Sequence, residues 1–308
     1  MKIAVPNKAF SINDTLIAEL GEYFDDVRIN ESGERYNGSA LIEFIADADA
    51  VIIGLEDFNK DIIDACPGVK IVAKYGVGLN NVDIAYCQEK GVKVAWQAGV
   101  NKLSVAEMAI GFMLMLIRNL YLTSNQLKAA NWNKSGGANL SEKVIGIIGV
   151  GHIGKELIRL LEPFHCKILV NDILDQQDYY ASVGVIHVEK EVLYREADII
   201  TVHTPLNDST DHLIDAQAFG MMKPSALVLN TARGELIDLE ALKHALQSQQ
   251  IAGAAIDVYY EEPPENAELI AIENLITTPH IGGNSIESVL AMGRSAIESL
   301  IEYEKGLK

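Results

Sequence analysis

The chain has 308 residues, 22% charged and 49% hydrophobic, a globular composition long enough for two domains that each enclose a core. Its formal net charge of −18 argues against nucleic acid or an anionic membrane surface as a partner; an anionic small molecule stays possible, because a few local arginines override a distant acidic surface. The three cysteines, Cys66, Cys87 and Cys166, form no C-x-x-C pair, which argues against a disulfide framework or a zinc site and fits a reducing cytoplasm.

Met1-Lys2 leads straight into the apolar run Ile3–Val5, so no secretory leader is expected. The longest apolar run, Ala109–Ile117, falls well short of the ~20 residues a membrane span needs. From the start to about residue 96 the chain alternates two periodicities. Strands are predicted at Lys2–Val5, Asp26–Ile29, Ala50–Ile53, Lys70–Lys74 and Val92–Ala95. Between them lie helical patterns at Thr15–Tyr23, Ser39–Ala46, Lys60–Ala65 and Val82–Lys90. Such alternation implies a parallel sheet with helices on both faces and a ligand surface beyond the carboxyl ends of the strands. Those ends feed Pro6–Asn13, Gly54–Asn59 and Tyr75–Asn80, the last of which, Tyr75-Gly76-Val77-Gly78-Leu79-Asn80, is either an ordinary strand–turn–helix junction or a turn whose backbone N–H groups meet a carboxylate.

Ser104-Val-Ala-Glu107 has the spacing of a capping box and opens a helix predicted to run to about Ala129. That helix is apolar nearly all round from Ala109 to Ile117, so it is expected to be buried between domains or between subunits, with a subunit interface, and hence a homodimer, preferred. Asn131–Ser141 reads as a loop into the second half.

Val144–Ile148 is then a short β-branched run of the kind buried on both faces of a parallel sheet. Gly149, Gly151 and Gly154 follow as G-x-G-x-x-G, and Lys155–Glu162 reads as a helix. The glycines supply a tight turn, backbone access for a pyrophosphate and close helix–strand packing. The helix N-terminus behind them offers unpaired N–H groups to that anion. A second strand, Lys167–Val170, leads to Asp172, whose carboxylate can accept from both ribose hydroxyls of NAD and would repel a 2′-phosphate. Ile173 and Leu174 follow, with no arginine to hold such a phosphate, so NAD is expected rather than NADP.

Further strands at Ile199–Val202, Ala226–Leu229, Ile251–Ala255 and Leu275–Thr277 complete an expected six-stranded dinucleotide fold, and a last helix spans about Ser285–Glu304. Three of the later strand ends carry polar groups. Arg233, flanked by small residues in Leu229-Asn-Thr-Ala-Arg-Gly234, is placed to fork onto a carboxylate. Glu262 follows Asp257, and His280 lies in Thr278-Pro-His-Ile-Gly-Gly283. Taken singly, Arg233 also fits a surface ion pair, Glu262 a solvated turn and His280 a packed loop histidine.

Together these segments resemble the D-isomer-specific 2-hydroxyacid dehydrogenase family, which includes D-3-phosphoglycerate dehydrogenases, glyoxylate/hydroxypyruvate reductases and D-lactate dehydrogenases. The resemblance covers essentially the whole chain. It is carried by Tyr75-Gly-Val-Gly-Leu-Asn-Asn-Val-Asp83, Gly99-Val-Asn101 with Ser104-Val-Ala-Glu107, Gly149–Gly154, His203-Thr-Pro-Leu206, Asn230-Thr-Ala-Arg-Gly234, Asp257-Val, Glu262-Pro263 and Thr278–Gly283.

The expected architecture is α/β, with two doubly wound parallel-sheet domains. One is a flavodoxin-like substrate domain of residues 1–98 with 285–308; the other is a Rossmann NAD-binding domain, 99–284. The resemblance implies that Arg233, Glu262 and His280 form the catalytic set, with His280 giving its proton to the substrate oxygen, Glu262 favouring the imidazolium and Arg233 orienting the carboxylate. It places His152, Ile153, Asp172, His203, Thr204, Pro205, Thr231, Ala232, Gly282 and Gly283 around NAD, and Asp257 on the nicotinamide carboxamide. It also implies that the two domains close over the cleft and that the Val77 and Gly78 N–H groups take the substrate carboxylate.

In one respect the chain departs from part of the family. Phosphoglycerate dehydrogenases commonly carry an arginine after the third strand, where this chain has Gly54-Leu-Glu-Asp57. Lys8, Lys60 and Lys74 lie near the expected substrate surface, and Lys74 is the best remaining phosphate partner. The expected activity is reduction or oxidation of a small anionic 2-keto or 2-hydroxy acid, with 3-phosphoglycerate narrowly ahead of glyoxylate or hydroxypyruvate. A reading from another class is an NAD(H)-sensing corepressor-like protein.

Overall fold

Short apolar runs and asparagine caps set up the first half of the chain. In the computed structural model, which describes residues 1–307, the runs Ile3–Val5 (β1), Val27–Ile29 (β2), Ala50–Ile53 (β3), Ile71–Lys74 (β4) and Lys93–Ala95 (β5) are the strands of one sheet. Asn7, Asn13, Asn59 and Asp83 each accept a hydrogen bond from the backbone N–H three residues on, and so start the helices that follow. Such a cap stabilises a helix by about 1 kcal/mol. The strand order is β2-β1-β3-β4-β5, every pair parallel. β3 and β4 are buried along their whole length, which is why they read as unbroken apolar runs.

Two compact units result: residues 1–101 with the segment from Ser285 onward, and residues 102–284. The returning segment is the helix Ile286–Leu307. It joins the first unit because Met292, Ala296, Ile297 and Leu300 complete a core with Phe10, Leu16 and Leu20. Arg294 forks onto Glu19 at 2.6–3.1 Å from the same helix.

The second unit is a parallel sheet of Val144–Ile148 (β6), Lys167–Asn171 (β7), Ile186–His187 (β8), Ile199–Val202 (β9), Leu227–Asn230 (β10), Gly253–Ile256 (β11) and Leu275–Thr277 (β12). Their order is β12-β11-β10-β9-β6-β7-β8. Seven strands therefore stand where six were expected. The addition is β8, two exposed residues at the sheet edge, too short to show a period. The helices Gln177–Val183 and Lys190–Glu196 beside it were likewise not foreseen.

A second correction concerns the long helix. It begins at Lys102, before Ser104, so the capping box does not form. It stops at Ile117, and a separate helix runs Leu120–Lys128 after a bend of 63°. Asn119 makes the break: its φ of 52° is left-handed, a conformation asparagine tolerates better than most residues. Its side chain then donates to Ser135. Among the described residues no single helix is long and apolar enough to cross a membrane.

Candidate active site

The site in the second unit is assembled from loops at the carboxyl ends of its strands. β6 and β9 lie side by side, and from that point the chain builds outward in opposite directions, β7 and β8 on one side and β10 to β12 on the other. Ligands of doubly wound sheets bind at this switch point. Gly149 and Gly154 are both required there. Gly149 has a left-handed φ of 94°, and a Cβ on it would lie 2.7 Å from the backbone carbonyl of His203, at the end of β9. A Cβ on Gly154 would lie 2.3 Å from the Gly149 oxygen, so the helix His152–Leu161 can seat directly behind the turn. Around Gly151, by contrast, there is open space, and the first helical turn, with His152 and Ile153, carries no side-chain cap.

Asp172, just past β7, is held by two backbone donors, Val150 N–H at 2.6 Å and Leu174 N–H at 2.8 Å, one on each oxygen. Each oxygen keeps acceptor capacity for a ribose hydroxyl. Two threonine hydroxyls at neighbouring strand ends, Thr204 and Thr231, are buried and make no hydrogen bond. His203 pairs Nε2 with the Thr201 hydroxyl at 2.9 Å while its Nδ1 is buried without a partner, and burial pushes its pKa down to about 4. It is therefore a neutral ring near pH 7. The glycine cradle, the open space at Gly151 and these unpaired polar atoms fit a dinucleotide, which would be held by residues 149–154, Asp172, Thr204 and Thr231.

The catalytic candidates occupy the ends of β10, β11 and β12 of the same unit. Asn230, 1% exposed, shapes the β10 turn: it donates to the Arg233 carbonyl at 2.7 Å and accepts from Ala232 N–H at 3.0 Å. Arg233 donates through Nη1 to the Ala232 carbonyl. Burial pushes its guanidinium below its ordinary value, while the charges of Glu235 and Glu262 push the other way. Glu262 thus lies within electrostatic reach of Arg233. It also meets His280, whose Nδ1 is 2.7 and 2.9 Å from the two carboxylate oxygens. A carboxylate only accepts, so Nδ1 carries the proton and Nε2 is left to exchange one with a substrate.

His280 stands on an unusual backbone, with a φ of 53°. Asp257 imposes it. Wholly buried at the end of β11, its carboxylate accepts from the Thr278 hydroxyl at 2.6 Å, Ile281 N–H at 2.8 Å and Gly282 N–H at 2.7 Å. In this structure Asp257 therefore holds the His280 turn from beneath. Two further residues brace it. Tyr259 donates its hydroxyl to the Thr278 carbonyl at 2.9 Å, and Ser104 donates to the Gly282 carbonyl at 2.6 Å. Sequence reasoning missed both, because Ser104 read as a helix cap and nothing in the sequence singled out Tyr259.

Lys74 to Gly78 belong to the first unit, at the end of β4. Tyr75 is buried, its ring set edge-on to Phe10 at 5.5 Å. The N–H groups of Val77 and Gly78 make no backbone hydrogen bond among the described residues. Lys74 is 4% exposed, and its ammonium donates to the Gly54 carbonyl and to Asn81 Oδ1 at 2.6 Å. It is an anchor between two loops, which leaves it poorly placed to serve as the expected phosphate partner.

A family model described as D-isomer specific 2-hydroxyacid dehydrogenase, NAD binding domain, matches residues 110–282. The chain is similar to the hydroxypyruvate reductase of Thermotoga maritima, 32% identical over 298 residues that cover 94% of this chain and 96% of that protein. It is also 32% identical over 299 residues to the D-3-phosphoglycerate dehydrogenase of Methanocaldococcus jannaschii, covering 96% of this chain and 57% of that protein. Among solved structures, the apo form of D-lactate dehydrogenase from Escherichia coli superposes with a TM-score of 0.86 at 29% identity, covering 99% of this chain and 98% of that one.

Proposed function

The chain belongs to the D-isomer specific 2-hydroxyacid dehydrogenase family of NAD-dependent enzymes, and from that premise we propose that it interconverts a short, unphosphorylated 2-keto acid, such as hydroxypyruvate or glyoxylate, and its D-2-hydroxy acid. The observation that carries the residue roles is the His280–Glu262 pair at 2.7 Å, with Arg233 within its electrostatic reach in the same unit. When bound, the nicotinamide cofactor supplies the hydride. His280 gives the Nε2 proton to the carbonyl oxygen as negative charge gathers there, and takes it back in the reverse direction. Glu262 keeps the ring oriented through Nδ1. Arg233 forks onto the substrate carboxylate and polarises the carbonyl beside it. Separately, the N–H groups of Val77 and Gly78, in the first unit, make no backbone hydrogen bond among the described residues, which supports the reading that this turn receives a substrate carboxylate.

Two features weigh against a phosphorylated substrate. Lys74 already donates to a backbone carbonyl and a side-chain amide, and the turn after β3 holds Glu56 where an arginine would serve a phosphate. The similarity to the Methanocaldococcus jannaschii enzyme keeps 3-phosphoglycerate as the second reading. Asp172 supports NADH over NADPH, because a 2′-phosphate would meet its carboxylate. The test is a turnover panel of hydroxypyruvate, glyoxylate, pyruvate and 3-phosphohydroxypyruvate, each run with NADH and with NADPH. Preference for hydroxypyruvate or glyoxylate with NADH is the expected result; preference for the phosphorylated acid, or for NADPH, reverses the corresponding assignment.

We further propose a homodimer through the helices Lys102–Ile117 and Leu120–Lys128. Leu103, Leu120, Leu127 and the nearby Trp132 are 45–76% exposed, an apolar surface that association would cover. Light scattering that reports a monomer at micromolar concentration would remove this proposal.

A further inference from the structure

The first unit contains a buried carboxylate that the reaction above does not use. Glu56, in the turn after β3, is 2% exposed. Its Oε2 accepts from the Gly54 N–H at 2.6 Å, and the Asn7 side-chain amide donates to both oxygens at 3.2 and 3.3 Å. Both oxygens act as acceptors, as an ionised carboxylate requires. No ion pair to Glu56 forms among the described residues.

The opposite charge sits across one peptide. Lys74 donates to the carbonyl of the same Gly54 whose N–H meets Glu56. Asn81 accepts from Lys74 and donates to the Gly54 and Glu56 carbonyls, at 3.0 and 2.5 Å. A Cβ on Gly54 would lie 2.1 Å from Asn7 Nδ2, so a side chain there would have to displace the Asn7 amide from Glu56. The cluster ties together the carboxyl ends of β1, β3 and β4, where a doubly wound sheet meets its ligand.

We propose that Glu56 is a specificity-determining residue: its charge keeps Lys74 engaged at Gly54 and opposes a second anionic group on the substrate, so that short 2-keto acids are selected over phosphorylated ones. This rests on the reading that the Gly76–Gly78 turn receives the substrate carboxylate. A carboxylate removed from water acts over a longer range than an exposed one, and a dianionic phosphate feels its field twice over. Selection then comes from repulsion of the competitor rather than from added contacts to the preferred substrate. Arg35 is the rival group. Its guanidinium donates to the Leu55 carbonyl in the same turn and is exposed, so it is a cation beside this turn that a phosphate can reach.

The experiment compares kcat/KM for hydroxypyruvate and 3-phosphohydroxypyruvate, with NADH, in the wild type and in Glu56→Gln, Glu56→Asp and Arg35→Ala. Thermal unfolding confirms that each variant is folded, and Glu56→Met, equally uncharged, replaces the Gln variant should the amide disturb Asn7. The wild type should favour hydroxypyruvate. Removing the charge should narrow that preference about tenfold, through KM of the phosphorylated substrate, whereas Glu56→Asp should keep the preference while both rates fall. A neutral variant that changes both substrates by one common factor overturns the inference, since a purely structural residue would behave so. Wild-type preference for the phosphorylated acid, lost in Arg35→Ala, also overturns it. Absence of turnover with every 2-keto acid instead strikes the dehydrogenase reading, and this inference falls with it.

Discussion

At the carboxyl ends of the first sheet, Asn7, Glu56, Lys74 and Asn81 bond to one another and to the peptide of Gly54. At the ends of β9 and β10 in the second, the hydroxyls of Thr204 and Thr231 and Nδ1 of His203 are buried and bond to nothing. A buried polar atom without a partner costs about 1–3 kcal/mol, so such atoms persist where something else completes them. The first unit presents a surface preset by its own side chains, whereas the second leaves polar atoms that the proposed dinucleotide would complete. The difference recurs inside the second unit. Asp257 satisfies three donors and fixes the His280 turn beforehand, so the proposed proton donor is held by the protein's own side chains.

The sharpest way to break this comparison is to remove the preset groups proposed to carry the reaction. His280→Ala and Arg233→Ala should each lower kcat/KM by about 10²–10⁴-fold, the range associated with losing a general acid or a charge-stabilising donor. NADH affinity, followed by fluorescence titration, should change only a few-fold in either variant. A parallel collapse of NADH binding would show that the catalytic turn and the cradle form one cooperative unit, against the division drawn above.

How much of this was visible in the sequence depended on whether a feature is local. The G-x-G-x-x-G turn and Asp172 were legible because each glycine answers a short-range steric demand and the acid closes the next strand. The β-branched runs of β3, β4 and β6 were legible because burial on both faces leaves no polar alternation. β8 was not, since two exposed residues at an edge carry no period. The break at Asn119 was hidden because neither flanking helix has a proline or glycine at the joint, and one left-handed asparagine sufficed. At the site, the family resemblance pointed to Arg233, Glu262 and His280, but not to the residues that brace the His280 turn. Ser104 and Tyr259 act on backbone carbonyls far along the chain, at Gly282 and Thr278, and no spacing rule connects them. Lys74 shows a related limit: a lysine at a strand end resembles an anion ligand, and its acceptors, Gly54 and Asn81, are visible only in the fold.

A smaller effect should appear in the pH dependence of stability. The ring of His203 resists protonation down to about pH 4, whereas in the unfolded chain it takes a proton near 6.5. Between those values the unfolded state binds more protons, so stability is lost as pH falls from about 6.5 towards 4 and is fully present above that window. The contribution is about 3 kcal/mol at most. Urea unfolding of the wild type and of His203→Gln at a series of pH values isolates it. The difference between the two curves should slope within the window and flatten on either side. A constant difference would mean that His203 titrates normally and that its surroundings are wetter than the burial of Nδ1 implies.

The smallest expected effect separates the preset and completed surfaces most cleanly. Thr231→Val and Thr204→Val each replace a buried, unpaired hydroxyl with a methyl of similar size. In the absence of cofactor, neither change breaks a hydrogen bond, and removing an unsatisfied polar group should leave stability unchanged or raise it by up to about 1 kcal/mol. With cofactor the sign should reverse, because a hydroxyl that pairs with the dinucleotide is lost; NADH affinity should fall about fivefold, the equivalent of one modest hydrogen bond. Asn81→Leu gives the contrast. Its amide already donates to two carbonyls and accepts from Lys74, so its loss should destabilise the chain without cofactor and leave NADH affinity nearly unchanged. Thermal melts with and without NADH read both quantities on the same samples. If the threonine variants melt lower without cofactor, the hydroxyls have partners within the protein and the second sheet is preset like the first.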